Sequence, residues 1–348
     1  MSKPVAVDGP WDRAPSIATW HGRSFAIGDV KARTGYEFVV AESTDLAHWT
    51  VLVRGAKAPS AYKMLVGHAG LVAVGDEAGT SIWTSTDGVG WTAVTNLPFA
   101  TVRSTDVAIA AGPKGLVAVA HMYPSDTPSL AWYSADGSSW TSVGSADRLF
   151  AGNTVYKVFA GPTGFFATGA MGQRSLYENR AGDWAGWWSS DGLTWQRASI
   201  GSATGFSLNS EVHFAASGMV VDQFVFGQWH SADGQSWART PDSMRLGANA
   251  NGDPANVTYL DDGDRIVALD CSDSGLAWES FDGSAWKPLN VAGDADALKM
   301  LTTSRSPWAS IDYAEFTPDG LLLFTSYVTA PPEWEAQTMN VIRIAATP

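Results

Sequence analysis

Cysteine is almost absent from this chain: Cys271 is the only one among 348 residues. Neither a disulfide framework nor a cysteine-rich zinc centre can be built from it. Charge is sparse as well. Charged residues make up 16% against 45% hydrophobic, and the net charge is −13. Such a composition buries a large core and does not stay disordered. With no basic stripe to release counterions, a general nucleic-acid or anionic-membrane surface is excluded, although a local basic pocket is not. No apolar run approaches the ~18 residues of a membrane span, so no membrane insertion is expected. The opening MSKPVAVDGPWD lacks the apolar core of a signal peptide. HExxH, GxSxG and the P-loop are missing, and the six histidines show no metal-ligand spacing. No metal, cofactor or catalytic residue is therefore assigned.

What the chain has in excess is tryptophan, 17 residues, and eleven of these sit in one recurring phrase. WTSTDGVGW begins at Trp83, WYSADGSSW at Trp132, WWSSDGLTW at Trp187, WHSADGQSW at Trp229 and WESFDGSAW at Trp278. A frayed copy, AESTDLAHW, begins at Ala41 and keeps Ser43, Asp45 and Trp49. The aspartates fall at 45, 87, 136, 191, 233 and 282, giving intervals of 42, 49, 55, 42 and 49. Repetition of short β units at this period predicts a propeller.

Each repeat has four beats. In the third, Asp106–Gly115 reads as a strand ending in a Pro/Gly turn, Leu116–Ala120 as a second strand, Leu130–Gly137 as a third and Trp140–Gly144 as a fourth. The glycine of the first turn recurs at Gly22, Gly70, Gly115, Gly164, Gly218, Gly263 and Gly320, seven turns against six aspartate phrases. The last unit supplies three strands and then the chain ends, so Pro4–Val7 is expected to complete it. The expected fold is all-β: a single seven-bladed β-propeller of four-stranded antiparallel blades, closed by an N-terminal strand in the last blade. Blades are placed at 14–53, 60–96, 104–144, 154–199, 209–240, 255–290 and 309–346 plus 4–7. Six blades is the alternative if the last unit is only a cap.

The phrase resembles the Asp-box of sialidase-like (BNR) propellers, shortened by one residue to Ser-x-Asp-Gly-x-x-Trp. That resemblance implies a structural role for Ser43, Asp45 and Trp49; Ser85, Asp87 and Trp91; and Ser134, Asp136 and Trp140. It implies the same for Ser189, Asp191 and Trp195; Ser231, Asp233 and Trp237; and Ser280, Asp282 and Trp286. In that family these turns lie on the face away from the ligand. The family's catalytic pattern is not matched. Its early Phe/Tyr-Arg-Ile-Pro motif is absent, Arg23 falls on a turn of the wrong face, and Tyr313 near Glu315 stands in no matching motif.

Strands alternate direction, so the variable loops gather on the face opposite the aspartate turns. The longest, Met171–Gly186, carries Arg174, Tyr177, Glu178, Arg180, Asp183 and Trp184. His121 and Tyr123, Arg305 and Trp308, and Trp334 and Glu335 come from other loops of that face. Aromatic rings beside Arg and carboxylates suit a glycan or protein surface, by stacking and fixed hydrogen bonds. Asp29, Asp76, Asp222 and Asp270 end second strands and could rim a common cavity, with His121 at the matching place. The expectation is a non-catalytic binding or structural propeller, extracellular or virion-associated. It is cytoplasmic if Met1 starts a cellular protein. A sialidase-type glycoside hydrolase and an intracellular assembly factor are the alternatives.

Overall fold

A computed structural model describes residues 5–6, 11, 15–33, 35–46, 48–76, 79–102, 106–120, 130–171, 184–200, 211–223, 227–240, 257–270, 277–289, 291–292, 310–317, 320–328 and 337–346. Within them the chain is almost wholly β and forms seven sheets. The first contains Ser16–Trp20, Arg23–Ala32, Gly35–Ser43 and Thr50–Arg54. The second contains Lys63–Gly67, Gly70–Asp76, Thr80–Ser85 and Thr92–Ala93. Val107–Gly112, Gly115–Ala120, Leu130–Ser134 and Thr141–Ser142 make the third. Thr154–Gly161, Gly164–Ala170, Trp184–Ser189 and Gln196–Arg197 make the fourth. The fifth is Glu211–Ala215, Gly218–Gln223, Gly227–Ser231 and Ser236–Arg239, with Ser199–Ile200 added parallel at its outer edge. The sixth is Val257–Asp261, Ile266–Asp270, Ala277–Ser280 and Lys287–Leu289.

Ser310–Thr317, Gly320–Val328 and Gln337–Ala346 form the seventh sheet. Its outer edge is completed by Val5 and Ala6, paired antiparallel with Val341 and Asn340, and by Val291–Ala292. The first strands of the first six sheets touch one another in sequence, and that of the seventh touches that of the first. They are the innermost strands. Second strands are solidly apolar, as in Leu71–Val74 and Leu116–Ala120, because both of their faces meet neighbouring sheets.

The turn after the third strand of the second to sixth sheets repeats one hydrogen-bond scheme. Ser85 Oγ accepts from the Gly88 amide at 2.9 Å and donates to Asp87 Oδ1 at 3.1 Å. Asp87 Oδ1 accepts from the amides of Val89 and Gly90 at 2.8 and 2.7 Å. Trp91 Nε1 donates to the Gly88 carbonyl at 3.0 Å. Equivalent bonds form around Asp136, Asp191 and Asp233. Asp282 keeps the backbone bonds, but Trp286 Nε1 is buried without a hydrogen-bond partner. The turn glycine has a left-handed backbone, as at Gly192 with φ +78°. A Cβ there would lie 2.7 Å from Tyr133 of the preceding sheet, so both conformation and close approach require glycine.

Links between sheets complete the core. The link before the third sheet delivers Phe99, whose ring centroid lies 5.1 Å from both Trp132 and Trp140. A short helix, Gly144–Phe150, delivers Phe150 against Trp187 and Trp195 at 5.1 and 5.7 Å. The fourth strand of the third sheet is accordingly only Thr141–Ser142, shorter than its sequence suggests. Trp184 is also not a loop residue: it opens a strand, paired with Ala170.

Candidate functional site

The two ends of the ring differ in chemistry. At the aspartate end the carboxyls are engaged by their own turns, and five of them are held below the usual carboxylate range. In Asp87 and Asp233 the leading cause is a backbone hydrogen bond, from Gly90 and from Ser236. In Asp136, Asp191 and Asp282 partial burial pushes upward first, and the hydrogen bonds accepted from the following residues outweigh it. The Oδ1 atoms, already filled by two amides and a serine hydroxyl, have little capacity left for a ligand.

The opposite end opens into a cavity of about 560 Å3. It is lined by four consecutive innermost strands, in the second to fifth sheets, the fourth sheet's by its middle residues 157–159, together with the end of the second strand of the second sheet. That placement puts it at the mouth of the central channel. Val74, Ile109 and Val158 supply apolar wall. Tyr62, Lys63, Asp76, Lys157 and Glu211 supply the polar groups. Lys63 is half-buried and its Nζ donates to the Ile109 carbonyl at 2.9 Å. Burial of the ammonium pushes its pKa below the ordinary lysine value; the Glu211 carboxylate acts the other way, and Lys157 adds to the lowering. Lys157 Nζ lies 3.8 Å from Glu211 Oε1, too long for a hydrogen bond.

Two residues along the strand from Glu211, His213 meets Asp261 of the sixth sheet, Nδ1 to Oδ2 2.9 Å, and lies against Tyr259 with centroids 5.6 Å apart. This polar pair joins neighbouring inner strands. Among the described residues no cluster of three or more His, Cys, Asp or Glu could hold a metal ion, and no helix is long and apolar enough to cross a membrane.

Of the loop residues expected to form a site, His121, Tyr123, Arg174, Tyr177, Glu178, Arg180, Asp183, Arg305, Trp308, Trp334 and Glu335 lie outside the described residues. Trp184 is placed by its backbone alone. Asp76, one of the recurrent strand-end acids, does line the cavity. Asp222 is the register partner of Glu211, and Asp270 that of Val257. Lys63, Lys157 and Glu211 escape a search that looks only in loops. Their signal is a charged residue within a largely apolar first strand, as in KMLVG, TVYKVFAG and EVHFA.

No protein-family model matches the chain, and no curated protein matches it by sequence. Solved structures do match. YCF48 from Cyanidioschyzon merolae overlays with a TM-score of 0.55 and 11% identity, over 97% of this chain and 98% of that one. The acylaminoacyl peptidase of Pyrococcus horikoshii overlays with a TM-score of 0.51 and 8% identity, over 93% of this chain and 50% of that one. Trypanosoma rangeli sialidase matches with a TM-score of 0.45 and 14% identity, over 95% of this chain and 54% of its own. At these identities the likeness is one of fold, and the fold is that of a β-propeller.

Proposed function

We propose that this chain is a seven-bladed propeller that binds a glycan or protein surface through the face carrying the channel mouth, without catalysing a reaction there. Each sheet is one blade on this reading, and Val5–Ala6 completes the last. The observation that carries it is the cavity of about 560 Å3, a size suited to a small ligand or a protruding group. Tyr62, 51% exposed at its edge, offers an aromatic ring for stacking. The aspartate turns are then Asp-box turns of the sialidase-like kind, working as structure on the far face. The sequence assigns the loops that carry Arg174, Tyr177, Arg305 and Trp334 to the ligand face, and these residues lie outside the described ones. Recognition at a surface outside the producing cell, a virion surface included, is the setting this reading fits.

The test is a glycan array together with capture of protein partners from the surfaces the protein meets, using wild type, Tyr62→Ala and Val89→Ala. Val89 is the control, because it is 51% exposed on an aspartate turn of the opposite face. Specific binding weakened by Tyr62→Ala and untouched by Val89→Ala supports the proposal. Loss with Val89→Ala alone would move the site to the other face. Hydrolysis of a bound glycan would replace this reading with the glycoside-hydrolase alternative.

A further inference from the structure

The charges at the channel mouth are arranged unequally by depth. The negative groups face water: Asp76 is exposed and the Glu211 side chain is 62% exposed. The positive groups sit further in: Lys63 is half-buried and the Lys157 side chain is 33% exposed. Solvated carboxylates at the rim neutralise deeper ammonium groups poorly, because water screens them and rotamer freedom draws them outward. Lys63 uses one of three donors on Ile109, and Lys157 makes only the loose 3.8 Å approach to Glu211. A net charge of −13 on the whole chain makes two half-buried lysines lining one cavity an exception to its general character.

We infer that the channel mouth binds a tetrahedral oxyanion, a sulfate or phosphate ester, between the ammonium groups of Lys63 and Lys157. This rests on the reading of the mouth as a ligand site and names what that site takes. Lysine presents a compact point charge with three rotatable donors, which suits a tetrahedral oxyanion; planar carboxylates are matched better by the fork of an arginine. An arriving oxyanion supplies acceptors for the Lys63 donors that are not spent on the Ile109 carbonyl. The sugar or other group bearing the ester would lie outward, where Tyr62 is exposed.

Calorimetric titration of the intact protein with inorganic sulfate, inorganic phosphate and acetate tests this at fixed ionic strength. The set comprises wild type, Lys157→Met, Lys63→Met and Lys114→Met, the last altering an exposed turn at the opposite end of the ring. Saturable binding of sulfate or phosphate, weakened about tenfold by Lys157→Met and unchanged by Lys114→Met, is expected. Acetate should bind more weakly than either. Glucose 6-sulfate against glucose 6-phosphate then separates the two sources of the ester. Near-UV circular dichroism identifies any variant that fails to fold, and Lys157→Met, at the more exposed lysine, decides if Lys63→Met does. Absence of saturable binding, or equal loss with Lys114→Met, overturns the inference. If oxyanion binding fails while Tyr62→Ala still abolishes capture of a partner, the ligand face stands and only its oxyanion chemistry falls.

Discussion

Leu46 occupies the place that glycine holds in the five full phrases, with φ +60°, and its carbonyl still accepts from Trp49 Nε1 at 2.8 Å. A leucine in the left-handed region costs about 1–2 kcal/mol. Its side chain is fully buried in a cluster with Trp11 and Trp49, and emptying such a site costs about 2–5 kcal/mol. Packing therefore wins over strain. Leu46→Gly should lower unfolding stability in urea by about 1–3 kcal/mol, although it restores the repeat's own glycine; equal or greater stability would refute this balance. The converse change, Gly192→Ala, meets both an unfavourable φ and the Tyr133 ring, and should cost about 2 kcal/mol or more. The turn aspartates add a pH dependence. An unfolded aspartate titrates near 3.9, and these five titrate lower when folded. The unfolded chain thus binds more protons over that interval. Stability contributed by the turns is present in full above about pH 5 and falls as pH drops below about 4 through the folded values. Urea midpoints at pH 7, 5 and 3 should show a plateau and then a fall, with a shallower fall in Asp191→Asn.

At the scale of the element, a sheet closes because the preceding link fills the gap between its two tryptophans. Phe150, fully buried against Trp187 and Trp195, does this for the fourth sheet. Phe150→Ala should destabilise by about 3–5 kcal/mol and Phe150→Leu by less, read as the shift in urea midpoint. Strands and turns are legible in the sequence because their causes are local: a Ser and an Asp two residues apart, a glycine next, a tryptophan three beyond. Phe150 is not legible in that way. It stands alone between Leu149 and Ala151 in a segment with no strand pattern, and only its place on the Gly144–Phe150 helix aims it at another sheet. The cavity escapes for the same reason. Lys63, Lys157 and Glu211 are 54 residues or more apart at their nearest neighbours in sequence and share only their place on first strands. Asp76 could be anticipated because the strand-end acid recurs, and recurrence is visible where convergence is not.

At the scale of the molecule, closure is a problem of edges. Each outer strand is short, as with Thr92–Ala93 and Thr141–Ser142, and leaves little backbone to template association. The exception is Gln337–Ala346, a ten-residue strand whose outer side is covered by Val5–Ala6 and Val291–Ala292. The N-terminal segment thus ties the two ends of the chain, and the bridge from Trp11 to Val30 holds the chain against the first sheet just before that sheet begins. Deleting residues 1–8 removes the pairing at Asn340 and Val341 while leaving Trp11 in place. A few backbone hydrogen bonds at about 1 kcal/mol each are lost, and the thermal midpoint should fall by about 5–10 °C. The uncovered edge should also recruit a second copy. Size-exclusion chromatography across a concentration series is expected to show the deletion variant forming dimers or larger species, with the intact chain as the comparison. A synthetic peptide spanning residues 1–10 should return the variant to the behaviour of the intact chain. A deletion variant with the intact chain's midpoint and elution would mean that contact between the first strands of the first and seventh sheets closes the ring unaided.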